Sequence, residues 1–374
     1  MRSLLTTALL AIATTAFTQV SETMQHGGIT RSYVLYVPTS YVPGQHPPLV
    51  FVLHGTLQDG TRIMDISAFN TVAESNGFVA VYPDGIGNSW NTGVAGGSTA
   101  DDMGYIDTLA TVLIQQYGID TTRIYSCGFS AGGYMSHRLA CESTRCFAAI
   151  ASVSGTMTTA AYAACVPAFN TPVMQMHGTN DPVVNYNGSG ISGESVDNVI
   201  ALWAGADACA TPPVITALPN INLFDFSTVE QQVYAPCDDN AQVVLLKVIG
   251  GGHQWPGTSD LFGGIGIINQ DIDATQVIWD FFNLFTCANL STPVVAADPT
   301  DAAPVVYSEG GALIVQWKSA PVTYAIIDAL GAIVKSGTLV KDRNVIGIQS
   351  LASGAYVLRL LEGKSHGARF NISR

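Results

Sequence analysis

The chain has 374 residues, enough to bury a sizeable core and to form more than one domain. Only 11% of them are charged, against roughly 25% in an average soluble protein, and the net charge is −13. Such an acidic chain repels polyanions, which argues against a nucleic-acid partner.

The first residues, MRSLLTTALLAIATTAFTQV, place Arg2 before an apolar run from Leu4 to Ala13, followed by small polar residues. This is the layout of a secretory signal peptide, assigned to residues 1–19 with cleavage between Ala16 and Ser21. The run is short for a bilayer, and no later stretch reads as a transmembrane helix. Strands are then expected over 32–38, 48–55, 78–85, 123–129, 147–155, 172–178 and 243–250. Most are near-continuous apolar runs, as in strands buried on both faces of a mostly parallel sheet. Helical patterns alternate with them over 62–75, 103–117, 131–141, 196–206 and 271–285. The alternation predicts an α/β three-layer sandwich with a mostly parallel sheet over residues 20–288.

The pattern stops after Cys287. Residues 289–304, rich in Pro, Ala, Thr and Asp, read as a linker. Short alternating runs over 311–318, 321–329, 331–339, 344–349, 354–363 and 368–373 predict a small C-terminal antiparallel β-sandwich, domain 305–374. Charge supports the division: residues 1–301 hold 7 Lys/Arg and 24 Asp/Glu (−17), and residues 302–374 hold 8 and 4 (+4).

Seven cysteines follow the leader, so an exported chain leaves at least one free. Cys127, on an expected core strand, reads as a buried free thiol. No CxxC and no zinc-like His offset occurs, so no metal site is expected.

The stretch CGFSAGGYM (127–135) carries the chemistry. Ser130 lies between a strand-like run and a helix-like one, the context of a GxSxG nucleophile elbow. Glycines on both sides permit a tight turn, and the turn lifts the hydroxyl out at the end of the sheet. A serine hydroxyl is a poor nucleophile and needs a base, which needs an orienting carboxylate. In this fold class the order is Ser, acid, His. Asp181 follows the strand ending near Met176, and His253 follows the strand ending near Ile249, so both fall on the Ser130 edge of the sheet. His177 is a candidate to support Asp181, and His137, in the helix after Ser130, reads as structural. His26, His46 and His366 fall outside the strand–loop pattern. Asp84, Asp101 and Asp102 precede Ser130, and Asp197 reads as a first-turn helix residue. The backbone amides of Thr56, after LHG (53–55), and Ala131 are the expected oxyanion donors, with His54 positioning the first loop.

The segments LHGT, YPDGIGNSWN, ADDMGYIDTL, GFSAGGYM, HGTNDPVVNYNG and GGGHQWPG resemble, in order, those of secreted α/β-hydrolases of the polyhydroxybutyrate depolymerase and feruloyl esterase family, which includes acetyl xylan esterases. The resemblance covers roughly residues 25 to 287. It implies Ser130, Asp181 and His253 as a triad, a framework role for Asp102 and Trp90–Asn91, and a Cys209–Cys237 disulfide. Trp90, Tyr186 and Trp255 are candidates to line an acyl or alcohol pocket, with ordinary packing as the other role. The tail resembles the C-terminal sorting domain of the Bacteroidetes-type gliding and secretion system, although VVYSEGG stands where Tyr-Pro-Asn-Pro is usual. A carbohydrate-binding module is the other reading of the tail, with Trp317 and Tyr324 as its few aromatics.

The expectation is therefore a secreted or cell-surface serine esterase acting through an acyl-enzyme without a cofactor. Its partners would be an ester substrate and, through the tail, the secretion machinery. Feruloyl or acetyl esters of plant polysaccharide are the first substrate reading. Polyester depolymerase, serine peptidase and a non-catalytic secreted binding protein are the others. Loops 56–62, 86–98 and 186–240 should shape the pocket.

Overall fold

The computed structural model describes residues 19–94, 96–190, 192–259, 264–287, 305–309, 312–317, 321–328, 333–352, 354–360 and 367–372. Residues 1–18 of the expected leader, the expected linker and His366 lie outside them. The chain divides into two compact units, Met1–Pro293 and Val294–Arg374.

In the first unit, six strands run parallel in the middle of a ten-stranded sheet. They are, in spatial order, β4 (Val79–Pro83), β3 (Leu49–Leu53), β5 (Ile124–Phe129), β6 (Ala149–Val153), β7 (Val173–Gly178) and β10 (Val243–Ile249). An antiparallel pair, β1 (Val20–His26) and β2 (Ile29–Tyr36), flanks β4. Another, β9 (Thr228–Tyr234) and β8 (Val214–Ala217), flanks β10. Every residue of β3, β4 and β5 is buried. The period of two explains why these strands are apolar throughout. Leu49, Phe51 and Leu53 enter a core shared with α3 (Asp102–Tyr117), α4 (Ala131–Glu142) and α6 (Val196–Ala206). Val50 and Val52 enter the opposite core, with α1 (Gly60–Ser67), α2 (Phe69–Asn76) and α7 (Ala274–Phe282). These layers form the expected three-layer sandwich; a short helix, α5 (Thr159–Ala164), precedes β7.

The helix expected over 62–75 is two helices. Ala68 sits at φ 52° and closes α1 by donating its N–H to Met64 O. No Gly or Pro announces this break. Strands β1, β8 and β9 were not expected either. All four residues of β8 are exposed, so burial imposes no apolar pattern on it.

The buried pair Arg31–Asp102, at 2.6 Å, ties β2 to the start of α3. Asp102 Oδ2 also accepts the Asn91 N–H at 2.6 Å, and Arg31 donates to Asp84 O at 3.0 Å and lies over the Tyr105 ring. One guanidinium thereby fixes the loops after β4. Disulfides join Cys141 to Cys165, Cys146 to Cys287 and Cys209 to Cys237, and Cys127 is a buried thiol. Among the described residues no helix is long and apolar enough to cross a membrane.

The second unit has a three-stranded sheet, β11 (Val305–Glu309), β12 (Ala312–Trp317) and β15 (Asp342–Gly347). Its other sheet orders β14 (Ile333–Leu339), β13 (Val322–Asp328), β16 (Gly354–Leu360) and β17 (Gly367–Ile372), and all pairings in both sheets are antiparallel. Residues of both sheets share one core. Trp317 and Tyr324 belong to it, 8% and 6% exposed, so neither offers an open ring face for stacking on a carbohydrate.

At the end of α6, burial pushes the Asp207 carboxyl up to about 8, with Asp238 and Asp239 adding repulsion and only the Thr171 N–H, 3.1 Å away, opposing it. The folded chain thus holds a proton there that the unfolded chain releases near pH 4. Stability is lost as pH rises between about 4 and 8. Asp207→Asn is expected to flatten this slope, so that urea midpoints at pH 5 and pH 8 differ less than in the parent. An unchanged slope would contradict the assignment.

Candidate active site

Ser130 follows β5 with φ 54° and ψ −118°, a strained conformation for a residue with a Cβ. Its N–H donates to Val153 O at 2.8 Å, and its own carbonyl accepts the Gly133 N–H at 2.8 Å. The turn closes because α4 lies against the end of β3: a Cβ on Gly132 would collide with Leu53 O. A helix N-terminus is thereby aimed at the Ser130 hydroxyl, with favourable polarity for an oxyanion.

The candidate acid and base come from the ends of neighbouring parallel strands. Asp181 follows β7, and His253 follows β10. His253 Nδ1 lies 2.8 Å from Asp181 Oδ2. Asp181 Oδ1 accepts the N–H groups of Val183 and Val184, each at 2.8 Å. His177 Nε2 donates to Val184 O at 2.8 Å and stands 3.4 Å from Asp181 Oδ2. Burial opposes the charge on Asp181, but the hydrogen bonds and positive potential of His177 and His253 hold its carboxyl well below the usual carboxylate range. A fixed carboxylate on Nδ1–H leaves His253 Nε2 as the basic nitrogen.

The acid and base loops are locked together. Gly250 donates its N–H to Thr179 Oγ1 at 2.9 Å, and Asn180 donates its own to Gly251 O at 3.0 Å. Gly178 permits this approach, since a Cβ there would meet the carbonyls of Gly251 and Gly252. On the other side, the Phe129 and His253 rings lie 4.9 Å apart, which sets the imidazole beside the elbow.

The LHGT loop passes close to Ser130: a Cβ on Gly55 would lie 3.3 Å from Ser130 Cβ. Among the described residues, neither the Thr56 nor the Ala131 N–H has an acceptor. His54 is buried, and burial lowers its pKa and keeps it neutral. Its Nδ1 donates to Gly55 O at 2.7 Å, and its Nε2 accepts the Gly85 N–H at 2.9 Å. His137 is structural: burial lowers its pKa to about 4, and it accepts from Trp203 Nε1 at 3.1 Å.

The structure buries the three candidate pocket aromatics, in line with the packing role. Trp90 is 0% exposed and donates through Nε1 to His54 O at 2.8 Å. Tyr186 is 5% exposed, edge-on to His177, with its hydroxyl on Asp197 at 2.7 Å. Trp255 is 1% exposed and donates to Thr275 Oγ1 at 3.0 Å. All three side chains are buried and hydrogen-bonded in the frame that carries the loops. Sequence reading also missed the two amides on Asp181 and the Thr179 bridge, because backbone donors and a lone threonine leave no motif.

Asp181→Asn preserves the shape but puts an N–H donor where the carboxylate accepted, so that Nδ1 becomes the acceptor and the wrong imidazole tautomer is favoured. Its kcat on a soluble ester is expected to fall by about 10⁴-fold with an unchanged circular dichroism spectrum. A loss under tenfold would show that Asp181 does not orient the base.

Residues 31–192 match the family model described as Esterase PHB depolymerase. A bifunctional acetylxylan esterase/xylanase from Neocallimastix patriciarum is 28% identical over 71% of this chain and 35% of its own length. Feruloyl esterase B from Piromyces equi is 25% identical over 60% of this chain and 42% of its own. The chain thus spans under half the length of either. The putative esterase NocK from Nocardia uniformis subsp. tsuyamanensis is 26% identical over 68% of this chain and 79% of its own. Among solved structures, an acetyl xylan esterase from Aspergillus awamori superposes with a TM-score of 0.50 at 17% identity, over 71% of this chain and 99% of that one. The first unit has the fold of an α/β-hydrolase, and within it residues 31–192 are similar to the Esterase PHB depolymerase model.

Proposed function

We propose that the chain is a secreted serine carboxylic ester hydrolase working through an acyl-enzyme. The observation that carries this reading is the 2.8 Å His253–Asp181 hydrogen bond, formed at the sheet edge where the strained turn at Ser130 projects. Ser130 Oγ attacks the ester carbonyl while His253 Nε2 takes its proton. Asp181 holds the imidazole and balances its charge. The tetrahedral oxyanion lies at the Ala131 and Thr56 amides. His253 then protonates the departing alcohol. Water, deprotonated by the same imidazole, releases the acid and restores Ser130. Every step uses groups of the chain and water alone.

Three disulfides fit an oxidising compartment and support export. The second unit is read as the sorting domain for that export. The names of the relatives favour feruloyl or acetyl esters of plant polysaccharide as substrate. A polyester substrate is the second reading, favoured by the family model.

Ser130→Ala is expected to lower kcat/KM on p-nitrophenyl acetate and methyl ferulate by at least about 10⁴-fold without changing the thermal midpoint by more than a few degrees. Retained turnover would remove Ser130 from the chemistry. Release of amines from peptides without ester turnover would replace the esterase by a peptidase.

A further inference from the structure

Strand β7 carries a glutamine, Gln175, between two methionines, and its side chain is 0% exposed. Burying an amide is costly unless each of its groups finds a partner. Here each does, and the partners fall in one line.

Gln175 and His177 share one face of β7, toward α4 and α6, whose His137 and Trp203 complete the line. Trp203 Nε1 lies 3.1 Å from His137 Nδ1. His137 Nε2 lies 3.1 Å from Gln175 Oε1. Gln175 Nε2 lies 3.3 Å from His177 Nδ1 and 2.8 Å from Gly155 O. His177 Nε2 lies 2.8 Å from Val184 O and 3.4 Å from Asp181 Oδ2. None of the four side chains belongs to a residue more than 1% exposed.

The chemistry of the groups assigns every proton. An indole N–H only donates, so His137 Nδ1 accepts and the His137 proton sits on Nε2. That proton needs an oxygen, so Gln175 Oε1 faces His137, and the amide nitrogen faces His177 and Gly155. Its two N–H groups serve those two acceptors. His177 Nδ1 is therefore bare, and the His177 proton sits on Nε2. The far end requires the same, because the Val184 carbonyl only accepts. A donor at one end and an acceptor at the other allow one polarity for the whole line. Burial lowers the His137 pKa to about 4, which keeps its Nδ1 lone pair available to Trp203.

The last link reaches the candidate acid. Asp181 Oδ2 is the oxygen that pairs with His253 Nδ1 at 2.8 Å. The Val184 N–H holds the other oxygen at 2.8 Å, while His177 holds the Val184 carbonyl. In the opposite tautomer a lone pair on His177 Nε2 would face both that carbonyl and Asp181 Oδ2. In a buried site such repulsion is little screened, and it would push the 181–184 turn away from His253. The Gln175 amide also reaches the nucleophile side. It holds the carbonyl of Gly155, where a Cβ would come within 2.6 Å of Ser130 O.

We propose that Gln175 is a positioning residue for ester hydrolysis that acts through His177: its amide donates to His177 Nδ1, so that an N–H and not a lone pair faces the turn that carries Asp181. The proposal rests on the esterase reading of the site. Gln175 acts on the alignment of the acid and base rather than on substrate binding, so its change should move kcat and leave KM.

The polarity can be read without turnover. In the full-length chain labelled with ¹⁵N-histidine, protonated and bare ring nitrogens differ widely in chemical shift, and the His177 signals are those absent from His177→Gln. The parent is expected to carry a proton on His177 Nε2 and none on Nδ1. Gln175→Glu keeps the shape but offers Nδ1 an acceptor in place of a donor. It is expected to bring a proton to His177 Nδ1 and to lower kcat on p-nitrophenyl acetate by about 10- to 100-fold, with KM within about threefold of the parent. Gln175→Met removes the donor and adds no acceptor. It is expected to lose less activity, with Nδ1 still bare. A proton on Nδ1 in the parent would overturn the proposal, whether or not either variant folds. So would a kcat for Gln175→Glu within about threefold of the parent, or an equal loss in Gln175→Met, which would reduce Gln175 to packing. A parent without ester turnover would instead sink the esterase reading, and the His177 proton would still decide whether the line has this polarity.

Discussion

The close contact of α4 with the end of β3 is the constraint on which the site depends. Gly132 lies where any side chain would strike the Leu53 carbonyl, and this contact lets the chain reverse at Ser130 with φ 54°. The strain at that residue is sustained because both flanks are held: Ser130 donates to the end of β6, and its carbonyl caps the first turn of the helix. One tight contact thereby exposes a hydroxyl, points a helix N-terminus at it, and brings the LHGT loop alongside. A looser packing would relax the turn and lose all three together.

The same economy governs the rest of the edge. Strands β7 and β10 are adjacent and parallel, so the loops that leave them meet without a long excursion. Their meeting is fixed by backbone groups and Thr179, and the Asp181 charge is held by two amides and the neighbouring imidazoles. The buried groups around this edge form a frame: neutral His54 joins the LHGT loop to Gly85 and Trp90, and the Arg31–Asp102 pair fixes the segment at Asn91. Substrate selection is then left to the loops that rise above the frame.

Much of this was legible in the residues because burial writes a strong pattern. Strands covered on both faces must be continuously apolar, and the parallel centre of the sheet was visible for that reason. The GxSxG turn was legible because a tight turn restricts residue type, and the order Ser130, Asp181, His253 pointed to the loops that the structure brings to one sheet edge, with His253 hydrogen-bonded to Asp181. What escaped notice follows from weaker constraints. β1 and β8 are the sheet edges and the half-buried β9 lies next to β8, where solvent tolerates polar side chains, and the break at Ala68 uses an alanine where a glycine would have announced it. The sequence left open whether Trp90, Tyr186 and Trp255 line a pocket or pack, because an aromatic near a motif has the same letter whether it faces a ligand or a core; the structure buries all three. The exposed loop at 221–226, between β8 and β9, went unseen since its apolar letters resemble those of a buried strand, and only its exposure separates the two.

The central claim is that Ser130 is an activated nucleophile. The most direct measurement is reaction of the full-length chain with a fluorophosphonate probe, followed by mass spectrometry of its peptides. The account predicts one phosphonyl group per chain, on the peptide containing Ser130, with loss of ester turnover in proportion to labelling. An unlabelled Ser130 in a protein that still hydrolyses esters would contradict it.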